Sequence, residues 1–313
     1  MEELKLHQFA EKLELRGYSK RTIASYCYDV RRFFDYLEKQ EDLRSIAEAE
    51  PKHLSAWHTH LHYAKFKAKR HMGNGTICKM LHALRTFYRV MFDEKLIEHD
   101  YASQIAIPRI KRTIPRHVPS AKEMATLIDG IIPTDDPLTK RDRAMFELLY
   151  ATGLRCEELC TLTIGALDLS EKTLFVHGKG ARDRLVPVGD WVMPHILEYL
   201  HAGRPRLVRK RTQLLFVSRC GGPLFESNIC FLLRKYTKAA ALSVRISPHG
   251  FRHACATHML AGGADIRYIQ ELLGHSALSS TQIYTKVDIS TLKQAHKMYH
   301  PRERKNENAA AGA

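Results

Sequence analysis

Between Ile107 and Ser120 the chain reads IPRIKRTIPRHVPS, and no helix or central strand can run through it. Each proline fixes φ and removes a backbone N–H donor, so Pro108, Pro115 and Pro119 leave an extended connector. On one side of it the sequence reads as helix only; on the other, helices mix with short strands. A chain of 313 residues is long for a single hydrophobic core. Two domains are expected, residues 1–106 and 120–302, joined by a basic linker at 107–119. Residues 303–313, ending in NENAAAGA, are expected to be a disordered tail.

In the first domain apolar residues return at helical spacing. Leu6, Phe9, Ala10 and Leu13 share one face, and Ile23, Tyr26, Val30, Phe33 and Leu37 another. Leu54, Trp57, Leu61 and Ala64 make a third stripe. Asn74 is placed to cap a fourth helix carrying Ile77, Leu81, Leu84, Tyr88 and Met91. A compact bundle is expected, with Lys20, Arg21, Lys79 and Arg85 among the cations on its other faces. Such a density suits tracking phosphates, although any one of these alone reads as a solvated charge.

The formal charge of +15 points to a polyanionic partner. Arg109, Lys111 and Arg112 in the linker would then add backbone contacts as the domains close around a duplex; a plain tether is the plainer reading. The seven cysteines are odd in number, and the amphipathic start MEELKLHQFAEKL is not a secretory segment. No apolar run approaches the roughly 20 residues of a membrane span. A reduced cytoplasmic setting without membrane contact is expected.

In the second domain, KTLFVHGKG and RLVPVG flank a glycine-containing turn and read as a hairpin. Ser247 and Pro248 start a helix as N-cap and first residue, which sets His249 and Arg252 on one face of its first turn. Phe251, Cys255 and Met259 form the core face. Gly153 suits a left-handed helix end and leaves Arg155 opening the next helix, CEELCTL. Asp265 caps a helix with Ile266, Ile269, Leu272 and Leu273 that Gly274 ends, so His275 sits just past it. Ser279 or Ser280 caps a short helix carrying Tyr284.

Arg155, Lys179, His249, Arg252, His275 and Tyr284 together are what metal-free cutting of a phosphodiester requires. The transition state gathers negative charge on non-bridging oxygens, which fixed cations and donors stabilise, and a protein nucleophile splits the transfer into two steps. The segment HGKGARDR lacks the GxxxxGK[ST] pattern of a nucleotide loop. Cys156 and Cys160 have no second pair at zinc-finger spacing, so no metal site is expected. No cofactor is expected either.

The segments ATGLRCEEL, HGKGARDR, SPHGFRHACATH and LLGHSALSSTQIYTKV resemble the active-site motifs of the tyrosine recombinase (phage integrase) family, in the same order. The resemblance implies a mainly α protein with a small β-sheet. It would pair an N-terminal helical core-binding (SAM-like) bundle with a C-terminal mixed α/β catalytic domain. It makes Tyr284 the nucleophile and Lys179 the general acid that protonates the departing 5′ hydroxyl. Glu158 is similar to the acidic residue that follows the first arginine, with a structural role expected. Arg182 and Arg184, near Lys179, are expected to contact phosphates.

Proportions and the ending HKMYHPRE are similar to the Xer branch, with a compact mobile-element integrase left open. The implied activity is site-specific recombination through 3′-phosphotyrosyl ends and a Holliday junction. The implied partners are a double-stranded recombination site and three further copies in a homotetramer, with room for an accessory protein, in the nucleoid. Ile289, Leu292, Ala295 or His296, and Tyr299 share a face of the last helix that packs on a neighbouring protomer or on its own domain. Two alternatives stand beside this: a type IB topoisomerase-like relaxing enzyme, which would cut many sites, and an architectural DNA binder, which would not need Tyr284.

Overall fold

The structure, a computed structural model, describes residues 2–40, 43, 49–63, 71–108, 118–178, 183–244, 246–274 and 289–304. The chain falls into two compact units, Met1–Ile114 and Pro115–Ala313. It is mostly helical with one small sheet.

The first unit consists of α1 (Glu2–Leu15), α2 (Lys20–Gln40), α3 (Pro51–Tyr63), α4 (Asn74–Asp93) and a short 3-10 turn, Tyr101–Gln104. Their apolar stripes turn inward. Phe9, Leu13, Val30, Phe33, Leu61, Ile77, Leu81 and Phe87 are fully enclosed, each such side chain contributing about 1.5–3 kcal/mol by leaving water. Phe9 meets Phe87 edge to face at 5.2 Å between centroids, and Phe33 leans on Trp57 at 5.9 Å.

Several expectations change here. Asn74 is the first helical residue of α4 rather than its cap; Gly73, in extended backbone, takes the cap position without any side-chain bond. Ala64 lies outside the described residues. Arg85 donates to the carbonyls of Ala102, at 3.2 Å, and Ile105, and so pins the 3-10 turn after α4. Its guanidinium is turned to these backbone carbonyls, away from where a phosphate would sit. Lys79 pairs with the buried carboxylate of Asp29 at 3.1 Å. Lys20 and Arg21 stand exposed at the start of α2.

The ends of the sequence-defined linker are absorbed by the units. Ile107 packs on the first core, and the Cys78 thiol donates to the Pro108 carbonyl at 3.1 Å. Val118 packs on the second core. Arg109, Lys111 and Arg112 lie outside the described residues.

The second unit is built around α6 (Pro137–Thr152), which Asp136 caps and which is buried along most of its length. α5 (Ala121–Asp129) precedes it, started by a capping box between Ser120 and Glu123. α7 (Cys156–Thr161) follows, then β1 (Leu167–Asp168), β2 (Thr173–Val176) and β3 (Arg184–Pro187) in an antiparallel sheet ordered β1-β2-β3. Leu174 faces Val186 and Val176 faces Arg184 across the hairpin. β1 was not readable in advance, because two residues carry no periodicity. The remaining α-helices among the described residues are α8 (Met193–Glu198), α9 (Arg204–Leu207), α10 (Glu226–Ala239), α11 (Pro248–Ala261), α12 (Ile266–Leu273) and α13 (Ile289–Tyr299). Among the described residues, no helix is long and apolar enough to cross a membrane.

α13 lays its Leu292, Ala295 and His296 face against its own unit. His296 Nε2 lies 2.8 Å from the Ala151 carbonyl, and His300 Nε2 3.2 Å from that of Tyr150. The chain after α13 is not a loose tail from residue 303. Glu303 is buried and accepts from the backbone N–H groups of Asp190 and Trp191, both at 3.1 Å, while Arg302 donates to Glu147 at 3.0 Å. A polar ending reads as solvated in sequence, but here Arg302 and Glu303 are themselves buried and bonded.

Candidate active site

α6 ends at Gly153, whose φ of 60° is left-handed. A Cβ there would lie 2.5 Å from Leu273 Cδ2, so glycine is required twice over, by backbone and by space. The turn delivers Arg155 as the N-cap of α7. Its backbone N–H donates to Glu158 Oε2 and its Nη1 to Oε1, both at 2.8 Å. The Arg155 side chain remains 42% exposed.

α11 starts as its sequence requires, with Ser247 Oγ accepting from the Gly250 N–H at 3.1 Å and Pro248 at the first helical position. One turn later Arg252 points inward, 5% exposed, and donates to the carbonyls of Gly153 at 2.8 Å and Leu273 at 2.7 Å. His249 is exposed, and Phe251, Cys255 and Met259 are in the core. His258 Nδ1 lies 2.8 Å from the Tyr150 hydroxyl, a structural contact.

α12 is capped by Asp265 and ends at Gly274, left-handed with φ 63°. Three consecutive carbonyls at this end each take a bond from a different arginine: Leu272 from Arg184 at 3.0 Å, Leu273 from Arg252, and Gly274 from Arg155 at 3.5 Å. Basic side chains satisfy the carbonyls that a helix end leaves without partners. Arg184 also donates to both Glu158 oxygens, at 3.0 and 2.9 Å. The expectation that Arg184 meets a phosphate is therefore corrected. It is 8% exposed and its fork is engaged by Glu158 and Leu272.

The electrostatics follow from these bonds. Burial alone would raise the Glu158 carboxyl, but hydrogen bonds from Arg184 and the Arg155 backbone hold it down to about 2. Burial, aided by the nearby charge of Arg155, pulls Arg252 down to about 10, so it is still protonated at neutral pH. Three guanidinium groups against one carboxylate leave the cluster positive, with Arg155 as its open edge. Such an edge suits a phosphate.

Lys179, Arg182, His275 and Tyr284 lie outside the described residues. The pairing of Arg184 with Glu158 carried no signal in sequence, since its two members belong to a strand and a helix joined only by the tertiary fold.

Residues 119–290 match the phage integrase family, and residues 6–95 match the phage integrase N-terminal SAM-like domain. The chain belongs to the phage integrase family, the class of tyrosine recombinases that cleave and rejoin DNA at specific sites. Its relatives include Xer recombinases. It is 38% identical to tyrosine recombinase XerC of Bacillus subtilis (strain 168) over 298 residues, covering 94% of this chain and 95% of the relative. It is 36% identical to tyrosine recombinase XerD of Chlorobaculum tepidum over 301 residues, covering 95% and 96%. The fold is similar to that of the XerH site-specific recombinase bound to a palindromic difH substrate in a post-cleavage complex. The TM-score there is 0.66 at 20% identity, covering 95% of this chain and 81% of that one.

Proposed function

We propose that this recombinase cuts one strand at a time of a duplex recombination site by attack of Tyr284 on the scissile phosphate. A 3′-phosphotyrosyl end forms and a free 5′ hydroxyl leaves. That hydroxyl then attacks the phosphotyrosyl bond of the partner duplex, which releases the tyrosine and makes a Holliday junction. No nucleotide is consumed, because the protein–DNA bond conserves the energy of the one it replaced. Arg155 and Arg252 hold the non-bridging oxygens. A free tyrosine has a pKa of about 10, so Tyr284 needs these cations and a proton acceptor, for which His249 is assigned. His275 donates to the phosphate, and Lys179 protonates the leaving oxygen. The roles of Lys179, His275 and Tyr284 rest on the family's motifs.

The observation that supports this reading most is the placing of two guanidinium groups at one end of α12, Arg252 bonded to the carbonyls of Gly153 and Leu273 and Arg155 to that of Gly274. Lys20, Arg21, Arg109, Lys111, Arg112 and Arg182 contact the DNA backbone away from the cut. Four protomers form the synapse, in the nucleoid, and an accessory protein regulates it. The relaxing enzyme and the architectural binder find no support among the relatives, which are recombinases.

A nicked suicide substrate, from which the cut fragment diffuses away, tests the reading. The wild-type protein is expected to leave a covalent protein–DNA product and Tyr284→Phe none. Covalent product from the phenylalanine variant would remove Tyr284 from its role.

A further inference from the structure

The Glu158 carboxylate has room for about four hydrogen bonds, and all four are taken. Oε1 accepts from Arg155 Nη1 and Arg184 Nη1; Oε2 accepts from the Arg155 backbone and Arg184 Nη2. Arg184 thus holds half of the carboxylate. With that half filled, the Arg155 guanidinium reaches Glu158 through Nη1 alone; its Nη2 makes a long 3.5 Å bond to the Gly274 carbonyl, and the side chain stays 42% exposed.

We propose that Arg184 is a positioning residue for the cleavage reaction: it keeps Glu158 from drawing Arg155 into a closed two-pronged pair, and so leaves the Arg155 guanidinium turned to the scissile phosphate. This rests on the reading above, in which Arg155 binds that phosphate. The chemistry of the pair makes the competition unavoidable. A carboxylate and a guanidinium match as planar forks, and the Glu158 side chain is only 7% exposed, so water is a poor substitute for a missing partner. Without Arg184, two acceptor positions open beside Arg155, which is then, among the described residues, the one guanidinium still bonded to the carboxylate.

Arg184 is itself held off the phosphate. Its Nε is bound to the Leu272 carbonyl, and its stem lies against Gly274, where an added Cβ would come within 3.0 Å of Arg184 Cδ. That contact also fixes the end of α12, one residue before His275.

The test compares suicide substrates whose scissile linkage is either an ordinary phosphate or a methylphosphonate, which is neutral and gives Arg155 no anion to stabilise. Arg184→Met is expected to cut the phosphate about 10²-fold more slowly than wild type, the cost of losing one aimed donor. On the methylphosphonate it should fall within a few-fold of wild type. Adding Glu158→Gln to Arg184→Met removes the competitor and should restore most of the phosphate activity. Arg184→Lys keeps a cation and one bond, and should show the same phosphate-selective loss at smaller size.

Equal losses on both substrates would make Arg184 a scaffold residue only and overturn the proposal. So would failure of both Arg184 variants to fold. A fall of about one in the salt slope of DNA binding, with no phosphate-selective loss, would make Arg184 a backbone contact instead. Failure of the wild-type protein to form any covalent product would overturn the reading beneath it, a different result from any of these.

Discussion

Arg252 donates a 2.8 Å hydrogen bond to the carbonyl of Gly153, the left-handed residue two positions before Arg155. One backbone turn therefore orients both arginines, and a side chain there disturbs both. Gly153→Ala must place Cβ 2.5 Å from Leu273 Cδ2 in a conformation that costs an L-residue about 1–2 kcal/mol by itself. The variant is expected to lose at least that much stability in urea unfolding and to cut its substrate more slowly at temperatures where it is folded. Unchanged unfolding and cleavage would sink this account of the turn.

The proposed reaction gives Tyr284 and Lys179 separable roles. Tyr284→Phe should bind DNA and form no adduct on any substrate. Lys179→Ala should be slow on ordinary DNA, yet recover when the bridging 5′ oxygen is replaced by sulfur, a leaving group that scarcely needs a proton. A sulfur substrate that helps neither variant, or both, would contradict the assignment.

Cleavage should need no divalent metal, because guanidinium and imidazole groups supply the charge stabilisation that a metal otherwise gives. Adduct formation in excess chelator is expected to match that in magnesium. Loss that magnesium restores, with DNA binding unchanged, would refute it.

With a net charge of +15, DNA binding should be steeply salt-dependent. If about 6–10 phosphates are neutralised, affinity falls roughly 10³ to 10⁵-fold between about 50 and 200 mM salt. A flat response in a titration by fluorescence anisotropy would rule out such a footprint.

His300 is fully buried beside His296, Arg302 and His258, with its ring against the Tyr150 carbonyl, and burial followed by the His296 charge holds its pKa well below 6.5. The folded chain keeps it neutral where the unfolded chain takes up a proton. Its contribution is thus complete above about pH 6.5 and is lost as pH falls, at about 1.4 kcal/mol per pH unit. His300→Gln removes that titration. Between pH 6.5 and 5 its stability should vary less steeply than wild type by about one proton, measured by urea unfolding; equal slopes would show that His300 is not the source.

Local signals were the legible ones. Ser247 with Pro248, Asp265, Gly153 and Gly274 mark helix ends through bonds made within a few residues, so their geometry is written into neighbouring letters. The apolar stripes of the first unit are legible for the same reason, since helical periodicity is a property of one segment. The family was legible too, because the motif segments follow one another in the order that the phage integrase family has.

What the charged residues do inside the fold was decided by tertiary structure alone. Arg85, Arg184, Arg302 and Glu303 look like solvated or DNA-facing charges in sequence, yet each bonds to a group from another part of the chain. A long charged side chain carries no periodicity and no fixed partner distance. Its role depends on which carbonyl or carboxylate the packing of distant elements brings within 3 Å, as Leu272 and Glu158 are brought to Arg184. The letters therefore determined which residues carry charge, and only the folded chain decided that Arg155 stays partly open while Arg184 and Arg252 are buried.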